Sequence, residues 1–375
     1  MKDVSPIRVT LVRSRATDPP VYKVARALAE NGYAVDLLVW VREGRGREND
    51  KGNGYNIYRF NLKAPYYKFR LLFYLPIWWL YEFFFLLRNR ANVIHACDLD
   101  TVLPAILVKV IKRTKLCYTI YDFYADILPY QIPGTVRKLV TFTEKFVLRF
   151  VDVLFLVDNS RYEQVRGAKI SRIEYIYNSP EDCFNTSPKL EHALKTSIFY
   201  AGYLDESRGL EKMIDAVSEL DGINLTLAGM GPGEAIIKHN LAKLHNLQYI
   251  GWIPYKEVIT NSLNTDILFA FYDPKIPSNK YASPNKLFEA MMCAKPIITN
   301  DGTTASKIVA EEKCGLVVPY GDVEAIREAV VRLKNDTDLR QTLGNNGRRA
   351  YETHYSWEIM KGRLINAYEE LAKSA

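Results

Sequence analysis

The sequence predicts an α/β protein built from two doubly wound, parallel-sheet domains. Short runs rich in β-branched and aromatic residues alternate with longer helical segments along the chain, which is typical of parallel α/β sheets. A polar segment at 177–197, which contains Pro180 and Pro188, interrupts this alternation and is where a domain boundary is expected. The length of 375 residues is enough for two separate hydrophobic cores.

In the first half, apolar runs of strand length are separated by helical stretches. The stretch after the first run ends near Gly32, and glycine is typical of the position just after a helix. We expect an N-terminal domain at 1–182. Its predicted strands are 7–12, 34–41, 55–60, 92–97, 116–121 and 152–157.

The second half repeats the pattern and predicts a C-terminal domain at 195–354. Residues 355–375 follow it with helical spacing, and this helix must pack on one domain or connect both. The predicted strands are 197–202, 223–229, 247–251, 266–271, 296–300 and 315–319.

Charge is unevenly distributed between the halves. Residues 1–180 contain 28 Lys and Arg and 17 Asp and Glu, a net charge of +11, whereas the remainder has a net charge of −4. A basic half favours an anionic partner, such as a phospholipid surface, a phosphorylated substrate or nucleic acid. Nucleic acid is the weakest of these, because the basic residues do not form a known binding module. The alternative is a solvated basic surface without a partner.

Cysteine usage and the N-terminus predict a cytoplasmic protein. The five cysteines show no C-x-x-C pair, and we interpret them as reduced core thiols without a metal site. No apolar signal-peptide segment precedes the first predicted strand.

The segment 70–90, RLLFYLPIWWLYEFFFLLRNR, is strongly apolar and aromatic. At about 1.5 Å per residue it is only just long enough to span a bilayer. Pro76, Glu82 and its place between two strands of one sheet argue against a spanning helix. It is either a core helix or, as we favour, a helix on the sheet that exposes aromatic side chains to the membrane interface.

Chemically informative motifs lie in the second half. YAGYLDESRGLEKMIDAV (200–217), LAGMGPGE (227–234) and SPNKLFEAMMCAKPIITN (283–300) each place a loop at the carboxyl edge of the predicted sheet. Glycines let the backbone approach an anion, and helix N-termini supply partial positive charge. Arg208 and Lys286 can neutralise a diphosphate, and Glu289 can accept hydrogen bonds from a vicinal diol such as a ribose.

Two of these residues also have structural interpretations. Arg208 can be a surface cation, and Glu289 can cap or solvate its helix. The functional interpretation of Glu289 is favoured because it is the lone charge in the apolar run LFEAMM.

Together the motifs Y-x-G-x-L…G-L-x-x-x-I-x-A, L-x-G-x-G-P and S-P-N-K-L-F-E-A-M-x-x-x-K-P-I-I resemble the retaining GT-B glycosyltransferases of family 4, also called group 1. The resemblance covers the C-terminal domain and is looser in the N-terminal half. It implies two Rossmann-like domains facing a cleft, with the helix at 355–375 returning to the first domain. It also implies a nucleotide-sugar donor, retention of anomeric configuration, and no required metal or other cofactor.

The resemblance assigns site residues by matching motif positions. Glu289 matches the glutamate that binds the donor ribose, and Arg208 matches the cation at the diphosphate. Gly202 is then the glycine of the donor loop. The remaining donor-side positions implied are Gly231, Asn285 and Lys286.

The sequence departs from the family at several positions. Tyr281 stands where the family often has a glutamate, and Tyr203 replaces an arginine after the donor-loop glycine. The motif YDFYAD places Tyr124 where a histidine is usual, and RSRATDPP replaces the first glycine-rich loop. Asp122, Tyr124 and Asp126, with Arg208, are therefore the candidate catalytic residues.

We expect a retaining glycosyltransferase that moves a sugar, by default from a UDP-sugar, to a lipid-linked or other membrane-presented glycan at the inner face of the cell membrane. Asp18, His95 and Asp98 are acceptor-side candidates expected on loops, although Asp98 and Asp100 can instead cap the helix near Thr101. The alternatives are a sugar-nucleotide epimerase and a non-catalytic GT-B protein that binds nucleotide-sugar or tethers a partner at the membrane.

Overall fold

The computed structural model describes residues 6–43, 49–51, 54–65, 69–128, 132–185, 195–281 and 285–373. The chain forms two compact units. The first contains residues up to Tyr177 together with those from Met360 onward, and the second contains Asn178–Ile359. The predicted interdomain segment lies partly outside the described residues, at 186–194.

The first unit is built on an eight-stranded sheet in the order β3-β4-β2-β1-β5-β6-β7-β8. All neighbouring strands are parallel except the antiparallel pair β3–β4. The elements are β1 (Arg8–Arg13), α1 (Pro19–Glu30), β2 (Ala34–Val41), β3 (Asn49–Lys51), β4 (Asn56–Asn61), α2 (Leu75–Arg88), β5 (Val93–Cys97), α3 (Leu99–Lys112), β6 (Lys115–Ile120), α4 (Tyr124–Ile127), α5 (Gly134–Val147), β7 (Val153–Leu156), α6 (Tyr162–Val165) and β8 (Ile173–Tyr175).

The second unit has a six-stranded parallel sheet in the order β11-β10-β9-β12-β13-β14. Its elements are β9 (Thr196–Tyr203), α7 (Leu210–Val217), β10 (Ile223–Met230), α8 (Glu234–Leu241), β11 (Leu247–Tyr249), α9 (Tyr255–Leu263), β12 (Ile267–Ala270), α10 (Pro277–Lys280), α11 (Asn285–Met292), β13 (Ile297–Asn300), α12 (Thr304–Glu312), β14 (Gly315–Val318), α13 (Val323–Asn335) and α14 (Thr337–Ala350). The final helix, α15 (Trp357–Lys373), belongs from Met360 onward to the first unit.

All twelve predicted strands are present, with ends displaced by a few residues. The strands β3 and β8 were not predicted. Each has only three residues and includes a charged one, as in NDK and IEY, so neither sequence contains an apolar run. Both lie at the ends of the sheet order, where a strand needs a single neighbour.

The apolar segment at 70–90 forms a 3₁₀ turn at Phe69–Phe73 followed by α2. Trp78 and Leu86 are buried in the first unit's core, whereas Phe73 and Leu80 are 71% and 59% exposed. Pro76 is accommodated because it occupies the first turn of the helix, where no intrahelical N–H bond is lost. Within the described part of the chain, no helix combines the length and apolarity needed to cross a bilayer.

Candidate functional site

The second unit's sheet has a topological switch point between β9 and β12. The chain runs from β9 outward through β10 to β11, then returns to β12 and continues outward to β14. In open parallel sheets, ligands bind beyond the carboxyl ends of the strands at such a point. The loops that follow β9 and β12 carry Arg208 and Tyr272 respectively.

Gly202, near the end of β9, leaves a space that the Lys286 side chain fills. A β-carbon at residue 202 would lie 2.6 Å from Nζ of Lys286 and 3.3 Å from the Tyr200 hydroxyl. The Lys286 ammonium also lies 4.9 Å from the centre of the Tyr200 ring. Burial works against its charge, but Tyr200, Tyr272 and Glu289 outweigh that effect and raise the pKa of Lys286. The ammonium is therefore positively charged at neutral pH.

Arg208 provides a second cation at the same edge. It ends a short 3₁₀ turn in which the Asp205 carboxylate accepts a hydrogen bond from the Ser207 amide. Its guanidinium stacks over Tyr272, with Cζ 4.5 Å from the ring centre, and its buried Nη1 has no hydrogen-bond partner among the described residues. Arg208 and Lys286 are close enough to act on each other's charge, and two such neighbouring cations make this edge suitable for an anion such as a diphosphate.

Glu289 lies one turn into α11, four residues after Asn285 begins the helix. It is partly buried, and its carboxylate lies close enough to the side chain of Tyr255 to act on the charge of that hydroxyl. Tyr255 is thus a neighbour of the Glu289 carboxylate at the start of α11.

The N-terminus of α11 completes the donor-side residues. The side chain of Asn285 accepts a hydrogen bond of 3.0 Å from the Asn178 amide. Ser283 and Pro284 of the predicted motif lie outside the described residues. Lys286 is the common neighbour of the other three predicted donor-side residues. Its side chain fills the space beside Gly202, and the charges of Arg208 and Glu289 both act on its ammonium group.

Gly231 has a different physical role from Gly202. Its φ is +155°, and a β-carbon there would lie 2.2 Å from the backbone oxygen of Leu204. The neighbouring Gly229 leaves room for the backbone oxygen of Gly202, to which a β-carbon would come within 1.8 Å. These glycines therefore permit two loops to pack backbone to backbone.

We expect Gly202→Ala and Gly231→Ala to separate function from stability. In Gly202→Ala the clash is with the movable end of Lys286, so nucleotide affinity should fall while the melting temperature changes little. In Gly231→Ala the clash is with fixed backbone in a conformation that disfavours side chains, so the melting temperature should fall by several degrees. Thermal melts and nucleotide titrations of both variants test this, and equal melting losses would contradict it.

The carboxyl edge of the first unit carries a buried ion pair. The Arg13 guanidinium bonds to the carboxylates of Asp98 and Asp18, with Nε 2.7 Å from Asp18. The Asp98 carboxylate also accepts hydrogen bonds from the backbone amides of Tyr121 (2.7 Å) and Asp122 (3.2 Å). It thereby ties together the ends of β1, β5 and β6. The predicted alternative that Asp98 caps α3 is wrong, since it makes no cap hydrogen bond.

Asp98 has a φ of 65° and a ψ of 169°, a conformation favourable essentially only for glycine. Such strain costs on the order of 1–3 kcal/mol and persists where surrounding contacts determine it. Here the bonds to Arg13 and two backbone amides hold the residue. Both predicted acceptor-side carboxylates, Asp98 and Asp18, therefore form ion pairs with Arg13.

A second buried cluster lies beside the first. Arg42, just after β2, is 3.3 Å from the Asp100 carboxylate, which also accepts a hydrogen bond from Ser14. Tyr124 lies near Asp100 and Asp98, and burial, followed by the charges of Asp100 and Asp98, raises the pKa of Tyr124 far above its usual value. Tyr124 thus contacts this buried cluster.

Asp122 and Asp126 flank Tyr124 but have different surroundings. Asp122 is 36% exposed and lies 3.8 Å from Arg161 and 3.9 Å from Arg15. Burial and the neighbouring Asp98 raise its pKa against the effect of these arginines. The Asp126 carboxylate accepts a hydrogen bond of 2.5 Å from Gln164. Of the two, Asp122 has the surroundings of a group that can reach a ligand.

The expectation that His95 lies on a loop is wrong. It is the central residue of β5 and is fully buried. Its Nδ1 lies 2.6 Å from the Tyr368 hydroxyl of α15, and its Nε2 lies 2.6 Å from the Thr119 hydroxyl. Both ring nitrogens thus join the sheet to the C-terminal helix, and burial lowers the pKa of His95 to about 3.

His95 should make stability fall as the medium becomes acidic. Its pKa is about 3 in the folded chain and 6.5 ordinarily, so the unfolded state takes up the proton first, and stability is lost as pH falls from 6.5 toward 3. From pH 6 to pH 5, the free energy of unfolding measured with urea should fall by about 1 kcal/mol more in the natural chain than in His95→Gln. The exposed His245→Gln serves as the control and should leave the slope unchanged.

Several site residues were not anticipated from the sequence. Arg13 is the last residue of β1 and Arg42 directly follows β2. An arginine directly after an apolar run at a carboxyl edge is the signal that could have identified them. Glu144 accepts hydrogen bonds from the backbone amides of Tyr124 (2.6 Å) and Ala125 (3.1 Å), and burial raises the pKa of Glu144 to about 8. No local pattern indicates this contact, because it joins residues 20 positions apart.

Two family comparisons match the two halves of the chain. Residues 186–350 match the family described as Glycosyl transferases group 1, and residues 19–179 match the Glycosyl transferase 4-like domain. Each half of the chain is thus similar to one glycosyl transferase domain. We call the first unit the 4-like domain and the second the group 1 domain.

Relatives with curated descriptions share modest identity with the chain. The capsular polysaccharide biosynthesis glycosyltransferase CapM of Staphylococcus aureus is 27% identical over 48% of this chain and 47% of its own length. The phosphatidyl-myo-inositol mannosyltransferase of Mycobacterium leprae is 23% identical over 58% of each chain. The chain thus spans about half the length of the curated relatives it matches.

Solved structures extend the similarity over the whole fold. Sucrose-phosphate synthase from Thermosynechococcus elongatus superposes with a TM-score of 0.81 at 16% identity, covering 98% of this chain and 100% of that one. Anabaena HepE in complex with UDP and glucose gives a TM-score of 0.71 at 12% identity, covering 97% and 100%. These similarities confirm the predicted fold class, a GT-B fold of two Rossmann-like domains.

Proposed function

We propose that this chain is a retaining glycosyltransferase whose group 1 domain binds a nucleoside-diphosphate sugar and whose acceptor is a lipid-linked or other membrane-presented glycan. One observation carries the proposal. Lys286 fills the space above Gly202, and Arg208 stacks on Tyr272 at the switch point of a parallel sheet. Two neighbouring cations there fit a diphosphate bridging the loops after β9 and β12.

The relatives support the substrate classes. The relative from Mycobacterium leprae is named for a phosphatidylinositol acceptor, and one from Corynebacterium glutamicum is named as GDP-mannose-dependent with a related lipid acceptor. HepE holds UDP. We propose UDP as the nucleotide of this chain's donor, with GDP as the alternative tested in the same assay.

In the proposed reaction the acceptor hydroxyl oxygen bonds to the anomeric carbon on the face from which the diphosphate departs. The bond between that carbon and the phosphate oxygen breaks, and the hydroxyl proton passes to the departing phosphate. Negative charge grows on the diphosphate, and Arg208, Lys286 and the N-terminus of α11 stabilise it. The proposed transfer requires no metal, because these groups supply the positive charge.

Glu289 and Asp122 take the remaining roles in this proposal. Glu289 accepts hydrogen bonds from the donor ribose, with Tyr255 beside it. Asp122, partly exposed between two arginines, orients the acceptor hydroxyl. Arg13 and Asp98 hold the loop that carries Asp122 and so position it.

The exposed apolar side chains of the segment 70–90 support the membrane part of the proposal. Phe73, Leu80 and Phe84 are 71%, 59% and 49% exposed, and basic residues stand at both ends of the segment. Such a helix binds the interface of a bilayer. We place it peripherally at the inner face of the cell membrane, with the chain in the cytoplasm.

A second function is a GT-B protein that binds nucleotide-sugar without turnover. It is favoured by Tyr281 and Tyr124, which stand where the family often has a glutamate and a histidine, and by the contact of Tyr124 with buried Asp100. Such a protein would bind nucleotide but release no diphosphate.

The test is release of free nucleoside diphosphate from a panel of UDP- and GDP-sugars, with and without a lipid extract of the source cells. We expect release from one donor, stimulation by lipid, and no change on addition of EDTA. Nucleotide binding without release from any donor supports the non-catalytic alternative. A requirement for a divalent cation contradicts the metal-free mechanism.

A further inference from the structure

One face of the 4-like domain carries most of the exposed large apolar side chains of the described chain. Thirteen of the twenty such residues lie on α2 with its preceding turn, on α3 and on α5. On α5, Leu139 and Phe142 are 63% and 64% exposed, and on α3 Val110 is 67% exposed. The apolar surface therefore extends well beyond the segment 70–90.

The three helices lie on one face of the sheet. Each helix lies in a connection between two parallel strands: α2 between β4 and β5, α3 between β5 and β6, and α5 between β6 and β7. All three connections run in the same direction along the sheet. Right-handed crossovers in one direction place their helices on one face. In agreement, α3 packs against both α2 and α5. We call the outward surface of α2, α3 and α5 the three-helix face.

Charge on the three-helix face has one sign. Each helix contains a single acidic residue, and all three, Glu82, Asp100 and Glu144, are buried with at most 2% exposure. Arg88 and Lys138 are exposed. Exposed charge on these described helices is thus cationic and lies among apolar side chains.

We propose that the three-helix face docks on an anionic phospholipid surface, with α5 contributing as much as α2. This inference rests on the membrane contact of the proposed function and extends it to two further helices. Apolar groups enter the interface while cations bind lipid phosphates. A second copy of the chain fits less well, since a two-fold contact would place one cationic face against another.

The test compares binding to vesicles of phosphatidylcholine with binding to vesicles of phosphatidylcholine and phosphatidylglycerol in equal parts. The full chain is used, with Leu139→Gln/Phe142→Gln on α5 and Ile77→Gln/Leu80→Gln on α2. The control is Ile250→Gln/Trp252→Gln, which removes exposed apolar residues from the group 1 domain. Circular dichroism checks folding, and calorimetry with UDP and GDP checks the donor site.

We expect tight binding to the anionic vesicles only, weakened at least roughly tenfold by either double substitution on the three-helix face and unchanged in the control. Lys138→Glu should weaken binding more at low than at high salt. If the α5 variant binds like the natural chain, the inference is overturned and the α2 contact stands. If the natural chain binds no vesicle, or self-associates through this face instead, both membrane claims fail while nucleotide binding still tests the donor site separately.

Discussion

Arg208→Ala should lower the turnover of sugar transfer by about 10²- to 10³-fold, the loss typical when one preorganised charge-stabilising group is removed. The guanidinium is fixed on the Tyr272 ring at the switch point and has an unpartnered nitrogen. It therefore needs little reorganisation when charge develops on the leaving diphosphate. Diphosphate release under saturating donor measures the effect.

The matched variants separate position from charge. Arg208→Lys retains the charge but loses the planar stacking on Tyr272, so its turnover should be intermediate. Lys286→Met should cost a similar factor, and the double variant should lose less than the product of the two, because both cations act on the same charge. Lys256→Ala, an exposed cation of the same domain, should behave like the natural chain. If Lys256→Ala lost as much turnover as Arg208→Ala, the effect would come from the net charge of the domain and not from a diphosphate site.

Glu289→Ala should raise the dissociation constant of the nucleotide-sugar by about 10²-fold, since hydrogen bonds to a charged group contribute about 1.5–3 kcal/mol each. The side chain is only partly buried, so folding should be little affected and the melting curve nearly unchanged. Calorimetric titration measures the affinity.

Tyr255→Phe is the control for Glu289. It removes the hydroxyl that neighbours the carboxylate while keeping the ring. Affinity should fall only a few-fold, because Glu289 loses orientation but keeps its charge. Unchanged affinity in Glu289→Ala would rule out this carboxylate as the ribose ligand.

The sheet architecture could be predicted because it depends on local patterns. Each predicted strand contains an apolar run, and most are followed by a helix. The unpredicted strands β3 and β8 lack such a run. On the donor side, Gly202 lies at the end of a strand, Arg208 follows that strand and Lys286 begins a helix, so their common edge follows from topology alone. What topology could not give is that Lys286 occupies the space left by Gly202.

The acceptor side was less predictable because its contacts join residues distant in sequence. Asp98 binds Arg13, 85 positions away, and His95 binds Tyr368, 273 positions away. A carboxylate or imidazole after a strand has the same sequence signature whether it faces a ligand or a buried partner. Only the group that the side chain contacts distinguishes a ligand-facing residue from a structural one. For His95 the contacts are the buried hydroxyls of Tyr368 and Thr119, which indicate a structural role.

The central claim is that the carboxyl edge of the group 1 domain binds a diphosphate through Arg208 and Lys286. The most direct test is calorimetric affinity for UDP against uridine, and GDP against guanosine, with the natural chain and with Arg208→Ala/Lys286→Met. We predict that one diphosphate binds the natural chain at least about 10²-fold more tightly than its nucleoside, and that the double variant loses most of this difference. Equal affinities of nucleoside and diphosphate, or a difference that survives in the double variant, would contradict the account.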